Sequence, residues 1–190
     1  MPDETEPRLA DLAAVTTLAH PRRRQILERL KLGGPATSAM LARDLDLNTG
    51  ATSYHLRELA ASGLVEDVPE RASGRERWWQ AARHDLRFPR RSEQSPEMRQ
   101  AFEEMSRIGF AADLEDFARA YEATAEASDP WSDAFLHSRG SIDVTGEELV
   151  QFFEEYIALL KRYQRRPDQR PEGARTVYAR FFAHPAPPLD

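Results

Sequence analysis

Two short helical patterns, separated by a turn of very few residues, restrict this chain more than any other feature. The first can begin at Thr37 or Ser38, because hydroxyl side chains suit the residue that caps a helix start. Its apolar positions are Met40, Leu41, Ala42 and Leu45. The second can be capped by Asn48 or Thr49 and runs to Gly63, a residue type that ends helices. Only a tight turn fits between them, so the pattern predicts a helix-turn-helix arrangement.

The segments on either side complete the prediction for the N-terminal region. Two helices are predicted before the helix-turn-helix, at 8–19 and 21–33, from their apolar spacing. Two short strands are predicted after it, at 64–68 and 75–81, joined by a polar turn that contains Pro and Gly. Helices followed by a helix-turn-helix and a β-hairpin form the element order of a winged helix.

The second half of the chain is predicted to be mainly helical. A basic, Pro-containing segment at 83–94 is interpreted as a linker. Ser95 and Pro96 form a strong helix start, since a capping hydroxyl precedes a proline at the first helical position. Thr145 and Glu148 have the spacing of a capping box, which predicts a second long helix.

Two further strands are expected in this half, at 135–144 and 174–182. The predicted fold class is therefore α+β and mainly helical. A winged helix-turn-helix domain at 1–82 and a linker at 83–94 precede a helical C-terminal domain at 95–190, which carries the two strands.

The net charge of −6 is unevenly distributed along the chain. Residues 20–82 contain ten Arg and Lys against eight Asp and Glu, whereas residues 95–160 contain four against fifteen. Binding to a polyanion requires a local basic face and not a basic average. The acidity of the whole chain therefore does not exclude nucleic-acid binding by the first region.

Composition excludes several other classes of protein. The chain has no cysteine, which removes disulfides, thiolate metal sites and cysteine nucleophiles. Its five histidines are scattered and form no metal-binding pair, so neither a metal nor a cofactor is expected. No apolar run reaches the roughly 18–20 residues that cross a bilayer, and the acidic start differs from a secretory signal. These features lead us to expect a cytoplasmic protein that does not enter membranes.

The helix predicted at 48–63 carries different chemistry on its two sides. The residues expected to face the protein core are Thr52, Leu56, Leu59, Ala60 and Gly63. Gly50, Tyr54 and Arg57 fall on the opposite side, with Ser53 and His55 on its flanks. Hydrogen-bonding groups and a cation on one exposed face are typical of a helix that enters the major groove of DNA.

Phosphate contacts are predicted around the start of this helix. Thr49 and Ser53 suit phosphate oxygens, and a helix N-terminus attracts them as well. Gly50 would let the backbone approach DNA closely, and Arg57 could reach a guanine edge or a phosphate. Arg22, at the start of an earlier helix, is a further candidate phosphate contact. The alternative interpretation of all these positions is a solvated surface.

The predicted hairpin carries a second set of candidates. Arg71, Arg75 and Arg77 lie in or beside its turn, where they could follow the DNA backbone or enter the minor groove. Arg77 could instead lie farther from the DNA. Trp78 and Trp79 must point to opposite faces of their strand, so one should be buried and the other not.

From Leu18 to Ala82 the chain resembles the winged-helix domain of the ArsR-like repressor superfamily. The motifs are Leu18-Ala19-His20-Pro21 with Arg23, Ser53-x-His55-Leu56-x-x-Leu59 followed by Ser62-Gly63-Leu64-Val65, and Gly74-Arg75-Glu76-Arg77-Trp78-Trp79. The resemblance implies a helix that reads double-stranded DNA and a wing beside it. Metal-sensing members use cysteine on their third helix, and this chain has none.

The second half leaves two interpretations of its many aromatic residues. A helical core with a dimer interface is favoured over a small apolar pocket for an effector. Its acidic pairs do not suggest catalysis, because adjacent residues on a helix point about 100° apart.

The sequence as a whole predicts a homodimeric transcriptional regulator, a repressor that binds an inverted-repeat operator through 48–63 and 69–77. Release by a small-molecule effector is part of this hypothesis. The alternative is a winged helix that binds a protein partner. An enzyme is not expected.

Overall fold

A computed structural model of the protein describes residues 8–71, 76–84, 86–124, 131–165 and 169–187. The chain divides into two compact units, Met1–Phe135 and Leu136–Asp190. Among the described residues, no helix is both long and apolar enough to cross a membrane. The fold class is α+β and mainly helical, as predicted.

The first four helices begin where polar side chains can satisfy the free N–H groups of a helix start. They are α1 (Leu12–Ala19), α2 (Pro21–Gly33), α3 (Ser38–Asp44) and α4 (Thr49–Ala61). Asp11, His20, Thr37 and Asn48 precede them, and each side chain accepts a backbone N–H from the first turn. The predicted caps of α3 and α4 are confirmed. The intervening turn is tight, since Asp46 has φ 52° and Leu47 N donates to Ala42 O at 2.8 Å.

Five short strands accompany these helices. They are β1 (Arg8–Leu9), β2 (Ala36–Thr37), β3 (Val65–Asp67), β4 (Trp78–Ala81) and β5 (Leu86–Arg87). β3 and β4 form the predicted antiparallel hairpin, with Val65 opposite Ala81. β2 joins the other side of β4, so the sheet order is β2-β4-β3. The two-residue β2 was not predicted, because so short a strand shows no alternation.

The first helix begins later than its apolar spacing predicts. Arg8 and Leu9 form β1, which pairs in parallel with β5. Ala10 N donates to Arg87 O at 2.7 Å, and the Arg8 guanidinium donates to Gly63 O at 3.1 Å. Asp11 then caps α1, so the helix cannot extend back to Arg8 as expected.

The core of the winged helix lies between the helices and the three-stranded sheet. Its buried members are Ile26, Leu27, Leu30, Ala36, Leu41, Leu56, Leu59, Leu64, Val65 and Trp79. They include Leu41, Leu56 and Leu59, which confirms the apolar faces predicted for α3 and α4. Trp79 is buried and Trp78 is half-buried, as the alternation along β4 requires.

The helix α5 (Pro96–Thr124) belongs to the first compact unit. A second apolar cluster joins it to α1, with Ala14 and Val15 packed against Met98 and Phe102. The segment 83–94, interpreted from the sequence as a linker, contributes β5 and the buried Gln94. The division into domains at 82 and 95 stays a prediction, and the compact units divide at Phe135 instead.

The second unit contains α6 (Gly146–Tyr163). Thr145 and Glu148 form the predicted capping box, in which Thr145 N donates to Glu148 and Glu148 N donates to Thr145. The strands predicted at 135–144 and 174–182 are wrong, since the structure describes both segments and neither contains a strand. A strand requires a hydrogen-bonded neighbour, and no described part of this unit provides one.

Candidate nucleic-acid interface

The helix α4 has the two faces that the sequence predicts. Thr52, Leu56 and Leu59 are fully buried against the core. On the opposite side Gly50, Tyr54 and Arg57 are exposed. The outer face is therefore available to a partner, while the inner face fixes the helix in the domain.

An open groove of about 530 Å³ runs between the starts of α3 and α4 and the strand β4. Its lining residues are Thr37, Ser38, Ala39, Thr49, Ser53, Arg57, Glu76, Arg77 and Trp79. The structure thus brings together four of the predicted contacts, namely Thr49, Ser53, Arg57 and Arg77. The groove combines hydroxyl groups, two guanidinium groups and the N-terminus of α4, which suit phosphate oxygens, with one carboxylate, Glu76, at the wing.

A hydrogen bond between two hydroxyls joins α3 to α4. The Oγ atoms of Ser38 and Ser53 lie 2.9 Å apart. Ser53 was predicted as a phosphate contact, and its side chain is half-buried and already engaged with Ser38. A serine hydroxyl can donate one hydrogen bond and still accept others, so this pair can both hold the helices and face the groove. Sequence spacing did not indicate Ser38, because the contact joins two different helices.

A second contact holds the middle of α4 against α2. Arg23 donates to the Glu58 carboxylate at 3.3 Å, and its guanidinium lies 6.0 Å from the centre of the Tyr54 ring. The Arg23 side chain is only 12% exposed. The mostly buried Arg23 guanidinium thus lies near both Glu58 and the half-exposed Tyr54 ring, within the distance of a cation–π contact. These contacts join α2 to α4 and indicate that Arg23 stabilises the fold.

Two histidines meet where α2 begins beside α4. The ring centres of His20 and His55 lie 4.8 Å apart, and His20 Nδ1 accepts the backbone N–H of Arg22. Burial lowers the pKa of His55, and the nearby charges of His20, Arg23 and Arg22 lower it further. His55 lies half-buried on the flank where the sequence places it, and its lowered pKa favours the neutral imidazole, while its contact with DNA stays a prediction. Within the described ranges, no group of three or more His, Asp or Glu residues could hold a metal ion.

Two of the three wing arginines are partly occupied within the protein. Arg77 pairs with Asp67 at 3.3 Å and lies 5.5 Å from the ring centre of Trp79. Arg71 lies over Trp78 at 5.7 Å. Both residues remain exposed, so their guanidinium groups can still reach a partner. Arg75 was also predicted, and it lies outside the described residues.

Arg22 and Arg57 occupy different edges of this surface. Arg22 is exposed at the start of α2, where it donates to Gln25 at 3.1 Å. Arg57 is exposed on α4 and lines the groove. Arg57 therefore lies both on the exposed face of α4 and in the groove.

Comparison with known proteins agrees with this fold. Residues 18–68 match the family described as a helix-turn-helix domain. That range covers α2, α3, α4 and β3, and so includes the two helices that line the groove, while β4 lies beyond it. Fold and match together show that the N-terminal part of the chain contains a winged helix-turn-helix. Among curated proteins, none matches this chain.

Several solved structures are similar to parts of the chain. Reduced HlyU from Vibrio cholerae is 25% identical, covering 51% of this chain and 85% of its own, with a TM-score of 0.33. A 1–100 fragment of a possible transcriptional regulatory protein from Mycobacterium bovis is also 25% identical, covering 54% and 92%, with a TM-score of 0.34. RV1404 from Mycobacterium tuberculosis is 15% identical, covering 81% and 86%, with a TM-score of 0.32.

Proposed function

We propose that this protein is a transcriptional regulator that binds double-stranded DNA through α4 and the wing. The observation that supports this most directly is the arrangement of α4. Its inner face is locked into the core by Leu56 and Leu59, while Gly50, Tyr54 and Arg57 face outward. A helix that is rigidly held and exposes hydrogen-bonding groups can lie in a major groove and read base edges.

The groove beside α4 adds a way to position the protein on the DNA backbone. Thr49 and Ser53 provide hydroxyls at the helix start, and Arg57 and Arg77 provide positive charge on either side. Phosphate contacts of this kind fix the register, and the base contacts made by α4 then supply specificity. Arg22 and Arg71 would extend the phosphate contacts away from the groove.

The finer parts of the proposal rest on the motifs of the sequence. The ArsR-like pattern around Leu18-Ala19-His20-Pro21 and in the recognition helix favours a cytoplasmic homodimer that represses by occupying an inverted repeat. The protein would act by binding and not by catalysis. A small-molecule effector would release the operator only if it bound the DNA-competent and DNA-free states with different affinities.

The test is an anisotropy titration with promoter DNA and with scrambled DNA, at two salt concentrations. Arg57→Ala is compared with Arg139→Ala, which removes an exposed arginine from the second unit. We expect Arg57→Ala to weaken specific binding by about 1–3 kcal/mol, roughly 5- to 150-fold, as the loss of a base contact does. If Arg57 contacts a phosphate, the affinity should fall on all sequences and the salt slope should decrease by about one.

Arg139→Ala should bind like the wild type. Equal effects of the two substitutions would contradict a specific role for α4. If DNA selected from the whole genome also bound no better than scrambled DNA, the winged helix would have a protein partner instead.

A further inference from the structure

The helix α6 has an apolar face that its own unit covers poorly. The residues on this face are Leu149, Phe152, Phe153, Tyr156, Ile157, Leu160 and Tyr163, at the spacing of one helix side. Phe152 and Tyr163 remain 43% and 70% exposed. No described residue of the second unit, within 136–165 and 169–187, is buried.

An aromatic ring from the same unit lies on the middle of this face. Phe181 has its ring centre 5.0 Å from that of Tyr156, and 5.7 and 5.9 Å from those of Phe152 and Phe153. Phe152 and Phe153 still keep about two-fifths of their surface in solvent, at 43% and 38%. The Phe181 ring therefore leaves much of the apolar face of this 18-residue helix exposed.

The pattern of α6 is nearly the same when the helix is turned end for end. Reversal about the midpoint between Glu154 and Glu155 brings Leu149 level with Leu160, and Phe153 level with Tyr156. These four residues lie near the centre line of the apolar face, since they fall within about 60° of one another at 100° per residue. An antiparallel copy of α6 would thus meet apolar residues with apolar residues between Leu149 and Leu160.

The two ends of α6 carry opposite charges, which also favours an antiparallel partner. The first turn carries Glu147 and Glu148, and the last turn carries Lys161 and Arg162. An antiparallel copy places the acidic first turn of one helix level with the basic last turn of the other, with Glu148 and Lys161 nearest the apolar face and Glu147 and Arg162 farther round the helix. A parallel copy would instead place like charges beside each other at both ends, which is unfavourable.

We propose that α6 pairs antiparallel with α6 of a second copy of this chain, enclosing the two Phe181 rings between them. The pairing deepens the dimer in the proposed function, because it names the surface that joins the two copies. It does not require that the dimer bind DNA. The competing explanation is that the first unit, or another protein, covers the apolar face of α6.

The lack of cysteine in the chain allows a direct test. Leu149→Cys and Leu160→Cys are prepared as separate full-length variants and treated with a short bifunctional thiol cross-linker, alone and after mixing. Facing residues on paired helices lie within about 10 Å of each other. In the antiparallel pair, residue 149 of one copy faces residue 160 of the other. Residue 149 of the other copy then lies 11 residues away, or about 16 Å along the helix axis.

We expect cross-linked dimer in the mixture several-fold above either variant alone. Leu136→Cys, at an 84% exposed position in the same unit, measures cross-linking by random collision. Circular dichroism checks that each variant keeps its helices. Equal or stronger cross-linking of Leu149→Cys with itself would overturn the antiparallel arrangement in favour of a parallel one.

Cross-linking of the mixture at the collision level would overturn self-pairing altogether, leaving the first unit or a foreign protein as the cover of α6. The cross-linking contains no DNA, so its failure differs from a failure of the anisotropy titration. A protein that cross-links as expected and binds no operator would retain the α6 pairing and lose the proposed function.

Discussion

All the buried residues that the structure describes lie before residue 95, and none of the described residues after it is buried. In the first region, side chains such as Ile26 and Leu59 have no exposed surface. In the second, α5 and α6 keep Leu114 and Tyr163 65% and 70% exposed. Both regions contain strong helix starts and amphipathic patterns, so they differ in packing and not in local helix signals.

The comparison shows that the signals that start a helix are distinct from the packing that stabilises it in the protein. Capping residues start α6 as effectively as they start α4. Most helical stability in proteins comes from the packing of an apolar face against other elements. The first region supplies that packing itself and can present a fixed helix to DNA. The second region has apolar faces left over, which agrees with a role in joining copies of the chain.

The largest expected effect on the free energy of unfolding comes from the truncation of one core leucine. Leu59→Ala should lower the free energy of unfolding by about 2–5 kcal/mol, because the fully buried side chain leaves a cavity. Leu136→Ala removes the same atoms from an 84% exposed position and should change it by less than about 0.5 kcal/mol. Urea unfolding followed by tryptophan fluorescence measures both, and similar losses would break the comparison.

An intermediate effect is expected from the ion pair that holds α4 to α2. Arg23→Ala removes a mostly buried guanidinium from Glu58 and Tyr54, so unfolding should become easier by about 1–3 kcal/mol. Arg119, on the exposed part of α5, pairs with Glu115 and Asp116 and provides the matched substitution.

Arg119→Ala should cost about 0–1 kcal/mol, since solvent screens exposed ion pairs. The same urea titrations compare the two variants. If Arg119→Ala proved as destabilising as Arg23→Ala, the ion pairs of Arg119 would belong to a packed surface. The well-packed region would then extend beyond residue 95.

Local signals and long-range contacts differ in how well the sequence predicts them. Thr37, Asn48 and Thr145 could be identified as caps because each acts on its own first turn. The outer face of α4 could be predicted because helical periodicity alone separates Tyr54 from Leu56.

Contacts between distant segments could not be predicted in this way. The β1–β5 pair joins residues far apart in the sequence, and two-residue strands show no period. The bond between Ser38 and Ser53 and the contact of His20 with His55 depend on the angle between helices. The strands expected at 135–144 and 174–182 failed for the opposite reason, since a strand-like composition does not supply a partner strand.

The smallest expected effect concerns how stability depends on pH in the two regions. Burial lowers the pKa of His55 and of His84 below the ordinary value of 6.5. As the pH falls below about 6.5, the unfolded chain binds more protons than the folded one, so stability decreases. His55→Gln should therefore lessen the loss in midpoint temperature of unfolding between about pH 7.5 and pH 5.5.

The second region should respond in a different pH range. Hydrogen bonds to Thr145 lower the pKa of Glu148 below its ordinary value of 4.5. The contribution of Glu148 to folding is therefore complete above that value and is lost as the pH falls below it. Between about pH 7.5 and pH 5.5, the midpoint temperature of unfolding of Glu148→Gln should change as it does in the wild type. Below about pH 4.5, the midpoint temperature of the variant should depend less on pH. If Glu148→Gln altered the upper range and His55→Gln did not, burial in the first region would not be the source of the pH dependence.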